Sequence, residues 1–306
     1  MNLLNLLNLL VATSVCLHLA GSVAGAQEVP ATRVVMLGTG TPSDDPERSG
    51  PAVAVVLRDQ VYLVDAGPGI VRRAAAAVAQ GVFALRTENL GRVFITHLHS
   101  DHTLGLPDLM FSPWVLGRTS PLEVYGPPGI AQMVAHLQEA FAADVSLRLS
   151  VERLSEAGVK TVAREIKAGR IYDDGVVRVD AIPVAHLSWR HAFGYRFSTP
   201  DRTIVVSGDA RPTAALAEAC NRCDILVHEV YSKAFFAGHG PQSRRYHAAA
   251  HTSSVELADL ATKAQPGLLV LYHQLFGGVT DRELEREIAA AGYRGRVVSA
   301  RDLDIF

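Results

Sequence analysis

Three histidines and an aspartate fall within six residues, in the run Thr96-His-Leu-His-Ser-Asp-His-Thr103. They follow directly on the apolar, β-branched stretch Arg92-Val-Phe-Ile-Thr96, which reads as a buried strand. The polar cluster therefore occupies the loop at a strand's carboxyl end, where α/β sheets place their sites. Alternation along the extended segment sends His97 and His99 to one side. Asp101 and His102 follow the turn and reach toward a second point. Imidazole suits Zn, Fe, Ni and Cu, and carboxylate extends the list to Mn. Two such points side by side match the two-metal arrangement of many hydrolases. A His-rich surface loop would have neither the strand before it nor matching residues later in the chain.

His97-x-His99-x-Asp101-His102 after a hydrophobic strand resembles the signature of the metallo-β-lactamase superfamily. The wider run Thr96-His-Leu-His-Ser-Asp-His-Thr-Leu-Gly-Leu-Pro107 is similar to its ribonuclease Z and arylsulfatase-like branch. Leu37-Gly-Thr-Gly-Thr-Pro42, Tyr62-Leu-Val-Asp-Ala-Gly67 and Val124-Tyr-Gly-Pro-Pro-Gly129 resemble three further blocks of that branch. The resemblance runs from about Arg33 to the C-terminus. It implies an α/β fold, an αββα sandwich of two mixed sheets flanked by helices.

The resemblance also implies the remaining ligands. His186 follows the strand Ala181-Ile-Pro-Val-Ala185, and its competitor His191 reads as a supporting or surface residue. Asp209, in Val205-Val-Ser-Gly-Asp-Ala210, sits where the family places a metal-bridging aspartate. His273 follows Leu268 to Tyr272 and resembles the last ligand. The implied set is His97, His99 and His186 on one metal, Asp101, His102 and His273 on the other, and Asp209 between them. Asp65 is expected to accept a hydrogen bond from a ligand imidazole and fix its tautomer. The cofactors expected are two divalent ions, zinc first, with Mn or Fe also compatible. The implied chemistry is attack by a hydroxide shared between the cations, with Asp101 counted among the catalytic residues. Glu229, in Val227-His-Glu-Val230, and His251, in His251-Thr-Ser253, resemble a pair that works outside the metal shell. Glu229 would orient His251, and His251 would protonate the leaving oxygen. A helix-cap contact is the alternative for that pair. His228 reads as a strand residue and His247 as a substrate-facing group.

Composition agrees with one soluble enzyme domain over residues 27–306: 48% of the 306 residues are hydrophobic, enough for a substantial core. The formal charge of −2 carries no basic surplus of the kind nucleic-acid binders show. The segment Leu147 to Val177 mixes six cationic residues with Glu152, Glu156, Glu165, Asp173 and Asp174 and reads as a solvated surface. The expectation is therefore a small phosphodiester or related ester as substrate, not transfer RNA. Arylsulfatase and lactonase or β-lactamase chemistry are the enzymatic alternatives, and a metal-binding protein with a silent site is the non-enzymatic one. A homodimer is an open expectation.

Met1 to Gly25 holds no Asp, Glu, Lys or Arg, and Ala24-Gly-Ala26 is a small-x-small site. This reads as a secretory signal peptide over residues 1–26, cleaved before Gln27, with the mature chain periplasmic or secreted and no longer membrane-bound. The n-region lacks the usual basic residue, so an uncleaved anchor is the alternative. Cys220 and Cys223 read as helix-terminal thiols, with a disulfide as the alternative in an oxidising compartment.

Strands are expected at Arg33 to Leu37, Ala52 to Leu57, Gln60 to Asp65, Gly91 to Thr96, Leu122 to Tyr125, Val145 to Val151, Thr161 to Glu165, Val176 to Val184, Ala192 to Phe197, Thr203 to Ser207, Ile225 to Val230 and Leu268 to Tyr272. Helices are expected at Ile70 to Gln80, Gly129 to Phe141, Ser253 to Ala264 and Asp281 to Ala291. Ser43 to Gly50 and Ala237 to Ala250 read as loops bordering the site.

Overall fold

The computed structural model describes residues 31–187 and 189–306; the signal segment expected at 1–26 lies outside the described residues. Thirteen strands form two mixed sheets. The first holds β1 (Thr32–Gly38), β2 (Ala52–Leu57), β3 (Gln60–Val64), β4 (Arg92–Phe94), β5 (Leu122–Gly126) and β6 (Thr161–Glu165), side by side in that order. The second holds β7 (Gly169–Asp173), β8 (Arg178–His186), β9 (Trp189–Ser198), β10 (Thr203–Val206), β11 (Ile225–Tyr231), β12 (Leu268–Leu275) and β13 (Val297–Ser299), also in sequence order. Each sheet is antiparallel at one end and parallel at the other.

Period-2 alternation builds the layers. Val53, Val55 and Leu57 of β2 face Val179, Tyr195 and Phe197 of the second sheet, closing the central core. Ala52, Ala54 and Val56 face the opposite way, onto α1 (Ile70–Ala79), α3 (Leu106–Val115) and α4 (Ile130–Ala140). On the far side, Leu226, Leu269 and Leu271 pack under α6 (Ala214–Cys220), α9 (Ser254–Ala264) and α10 (Asp281–Ala290). The result is the expected αββα sandwich.

Three local expectations are corrected. Val145 to Val151 alternates apolar residues but is helical: α5 (Ala142–Leu147) runs into a π-helical turn, Arg148–Glu152. Arg148 pairs with Asp144 and with Glu152 at i,i+4 spacing on either side, and Leu147 and Val151 point to solvent. Ala237 to Ala250 is mostly helix, in α7 (Lys233–Gly238) and α8 (Pro241–Ala250). Ser232 caps α7, and Pro241 occupies the first turn of α8, where its missing N–H costs nothing. Cys220 and Cys223 are disulfide-bonded, not free thiols. Among the described residues no helix is long and apolar enough to cross a membrane.

Candidate metal centre

The parallel strands of both sheets end at one rim, and the predicted polar residues collect there. After β4, residues 95–99 run extended and α2 (Ser100–Thr103) turns Asp101 and His102 inward. His186 ends β8. Asp209 follows β10 across Gly208, whose φ is +63° and whose place for a Cβ lies 2.8 Å from the Thr96 Cβ. Only glycine satisfies both conditions. His273 is the extra residue of a bulge between β12 and β11, and its φ of +44° aims the ring at the site.

These side chains form two groups that can each hold a cation. His99 Nδ1 lies 3.0 Å from His97 Nε2 and 3.1 Å from His186 Nε2. Asp209 joins these three, its Oδ2 4.0 Å from His97 Nε2. In the second group, Asp101 Oδ2 is 3.2 Å from His273 Nε2 and 3.4 Å from His102 Nε2. Asp209 reaches this group too, at 3.3 Å from His102 Nε2 and 3.4 Å from His273 Nε2.

The donor set fits divalent cations. His102 Nε2 and Asp209 Oδ1 face each other, buried, and neither has a hydrogen-bond partner. Burial alone would lower the His102 imidazole, but the Asp209 and Asp65 carboxylates override it and hold it well above its usual range. Burial pushes His97 well down and His186 to about 4, so both present neutral nitrogens. Burial would raise Asp209, yet His273 and His102 hold it well below the usual carboxylate range. The buried anionic oxygens draw positive charge to the site, which His102 carries in the metal-free protein and a bound cation would carry in its place.

Outer partners fix three of the rings. His102 Nδ1–H donates to Asp65 Oδ2 at 2.8 Å. His97 Nδ1 meets Thr96 Oγ1 at 3.0 Å, and that hydroxyl in turn donates to Asp65. His186 Nδ1–H donates to the Ala250 carbonyl at 2.8 Å. Asp65 itself holds a left-handed φ of +61° and is completely enclosed. Backbone strain at such a position persists only where the surroundings impose it.

Beside the cluster, His251 Nδ1 lies 3.1 Å from Glu229 Oε1 and 3.9 Å from Asp209 Oδ2. Glu229 Oε1 also accepts from the Ala210 and Thr252 N–H groups, at 3.1 and 3.2 Å. Burial would lower His251, but Glu229 overrides it and holds the imidazole at about 9. The N-cap of α9 is Ser253, boxed with Glu256, while His251 is the C-cap residue of α8 through its backbone N–H. His191 is exposed and outside both groups. His228 is a buried strand residue, pushed to about 4 by burial. His247, in α8, lies with its ring centroid 5.5 Å from that of His251 and tilted 32° to it. The sequence reading overlooked Trp189, whose Nε1 lies 2.7 Å from His99 Nε2. Its position opposite His186 in the β8–β9 hairpin was the available signal.

The sequence model for the beta-lactamase superfamily domain matches residues 60–274. Ribonuclease Z of Mycobacterium avium (strain 104) is 36% identical over 275 residues, covering 88% of this chain and 96% of that protein. Ribonuclease Z of Mycobacterium marinum (strain ATCC BAA-535 / M) is 33% identical over 274 residues, with the same coverage of 88% and 96%. Among solved structures, the metallo-beta-lactamase fold protein YhfI from Bacillus subtilis aligns with a TM-score of 0.67 at 18% identity, over 90% of this chain and 98% of that one. Human tRNase Z, short form, aligns with a TM-score of 0.67 at 21% identity, again over 90% and 98%. These two likenesses are of fold.

The relatives correct one expectation. Proteins similar over nearly their whole length are ribonucleases, so neither the small ester as substrate nor the exclusion of transfer RNA stands. That exclusion rested on net charge and on one mixed-charge segment, and a formal charge of −2 averages over surfaces that never meet a substrate.

Proposed function

This chain is a metal-dependent hydrolase that belongs to the metallo-β-lactamase superfamily and to its ribonuclease Z branch, and from that membership we propose that it hydrolyses RNA phosphodiesters, transfer RNA among them, with two divalent cations held at the strand ends. The observation that carries the choice of chemistry is the buried Glu229–His251 pair, 3.1 Å apart, with His251 Nδ1 3.9 Å from Asp209 Oδ2 of the cluster. A phosphodiester that releases an alkoxide needs a proton for its leaving oxygen, and a protonated imidazole is suited to give it.

His97, His99 and His186 would hold one cation, and Asp101, His102 and His273 the other. Asp209 would serve both, since one carboxylate between two cations reduces their repulsion. Zinc is the ion proposed, because imidazole predominates. Bound there, the cations would lower the pKa of a water toward about 7 and supply charge that stabilises the pentacoordinate phosphorus. Asp65 holds Nδ1–H on His102 directly and on His97 through Thr96, so in each ring Nε2 is the nitrogen turned inward, where a cation would displace any proton it carries. Glu229 holds Nδ1–H of His251, leaving the second ring proton to pass to the departing oxygen as the P–O bond breaks.

The test is cleavage of a labelled transfer-RNA transcript and of bis-p-nitrophenyl phosphate by protein of known zinc content. Cleavage of both is expected. Protein carrying two zinc ions that cleaves neither refutes the proposal.

A further inference from the structure

His99 is the one ring of its group whose outer nitrogen faces a donor. His97, His102 and His186 each place an acceptor behind the ring: the Thr96 hydroxyl, Asp65 and the Ala250 carbonyl. Those arrangements keep the proton outside and the lone pair inside, as a metal ligand requires. His99 turns Nδ1 inward, 3.0 Å from His97 Nε2 and 3.1 Å from His186 Nε2. Its outer Nε2 lies 2.7 Å from the indole Nε1 of Trp189.

Indole Nε1–H donates only. To accept it, neutral His99 must carry its proton on Nδ1, the atom a cation would bind. A cation on Nδ1 takes that lone pair, and the ring's single proton must then sit on Nε2. Two N–H groups would then point at each other across 2.7 Å. The contact with Trp189 and a cation on His99 Nδ1 therefore exclude each other.

We propose that Trp189 is a metal-coupled positioning residue: its indole holds His99 in the metal-free tautomer and leaves Nε2 when the first cation binds. The inference rests on the metal reading above. One N–H bond breaks at His99 Nδ1 and one forms at Nε2, the proton being exchanged through water; the new Nε2–H then donates to water or a substrate oxygen. Trp189 opens β9 directly opposite His186, so the hairpin that delivers a ligand also carries the ring that answers to the cation. Trp189 is itself only partly buried, as is His99, while His97 and His186 are fully enclosed.

The chain has two tryptophans, and the other, Trp114, is buried with its N–H on the Ser155 carbonyl. In Trp114→Phe protein, emission reports Trp189 alone. Titration with zinc, with uptake counted by elemental analysis, should change that emission in step with the first equivalent. In a second measurement, Trp189→Phe should bind the first zinc about twofold to tenfold more tightly, the equivalent of one neutral hydrogen bond no longer competing. Zinc uptake with unchanged emission overturns the inference and leaves the metal site standing. Weaker zinc binding by Trp189→Phe overturns it as well, since Trp189 would then support the bound state. No uptake at all overturns both the inference and the metal reading beneath it.

Discussion

Replacing Glu229 by Gln isolates charge from geometry in the proposed proton donor. The amide oxygen of Gln can still accept from the Ala210 and Thr252 N–H groups and from His251 Nδ1–H, which Glu229 Oε1 holds at 3.1 to 3.2 Å. The other position, Oε2, is buried without a partner, so an NH₂ group there is an unmet donor costing roughly 1–3 kcal/mol of stability. The imidazole therefore stays in place and loses its counter-charge. Burial pulls His251 down and Glu229 holds it at about 9, so neutralising Glu229 returns it to at most its ordinary ~6.5. At pH 8, roughly nine in ten molecules carry the proton in the first case and roughly three in a hundred in the second. Bound cations draw both values down together, so the quantity to measure is the gap between the two alkaline limbs. The assay is kcat against pH on a phosphodiester with a poor alkoxide leaving group, with bis-p-nitrophenyl phosphate as control. The Gln variant should lose activity on the first substrate at lower pH, by more than one unit, and recover it on acidification. His251→Ala should lose about 10²–10⁴-fold on that substrate and far less on the nitrophenyl ester, whose leaving group departs without a proton. Superimposable pH profiles for wild type and Gln variant, or equal His251→Ala losses on both substrates, would refute the assignment.

Three other outcomes follow. Protein purified without chelator should carry two metal equivalents by elemental analysis; Asp209→Asn, His186→Ala and His273→Ala should each lower that count, and His191→Ala should not. Arg118 is buried and gives its guanidinium N–H groups to the carbonyls of Leu90, Leu109, Met110 and Gly158, so Arg118→Met should cost about 4 kcal/mol in urea denaturation, and a loss under a third of that would show the carbonyls finding other donors. Residues 1–26 support the further proposal that the chain is exported; the N-terminus of exported protein should be Gln27, and full-length chain retained in membranes would favour an anchor instead.

The strand ends that carry the proposed ligands were legible as short apolar runs with a polar residue just past each, and the family resemblance singled those polar residues out. Ile225, Leu226 and Val227, and likewise Leu268 to Tyr272, are buried on both faces, so each strand opens as an unbroken apolar run before its polar residues. Val145 to Val151 failed for the opposite reason. It is half exposed, and its alternating apolar residues mimic a strand while the i,i+4 charges of Asp144, Arg148 and Glu152 mark a helix. Charge spacing was the better guide there, because ion pairs of that spacing meet only on a helix. Within the stretch Ala237 to Ala250 read as a loop, Gly240-Pro241 is the start of α8, since proline suits a helix's first turn.

The site was harder to read wherever function depends on a neighbour that is not near in sequence. Asp65 could be nominated because Tyr62-Leu-Val-Asp-Ala-Gly67 resembles a block of the family; that it also serves His97 through the Thr96 hydroxyl needed the fold. Trp189 carried no signal by type, since a tryptophan after a turn is ordinary. Its meaning comes from the atom it meets: a donor-only nitrogen against His99, where the other rings of the cluster with a fixed outer partner meet an acceptor. Substrate was hardest, because binding depends on which charges line the approach to the metal rim, and composition sums charge over the whole chain without regard to place. A −2 total is as compatible with a locally basic rim as with an acidic one, so it carried no weight against RNA.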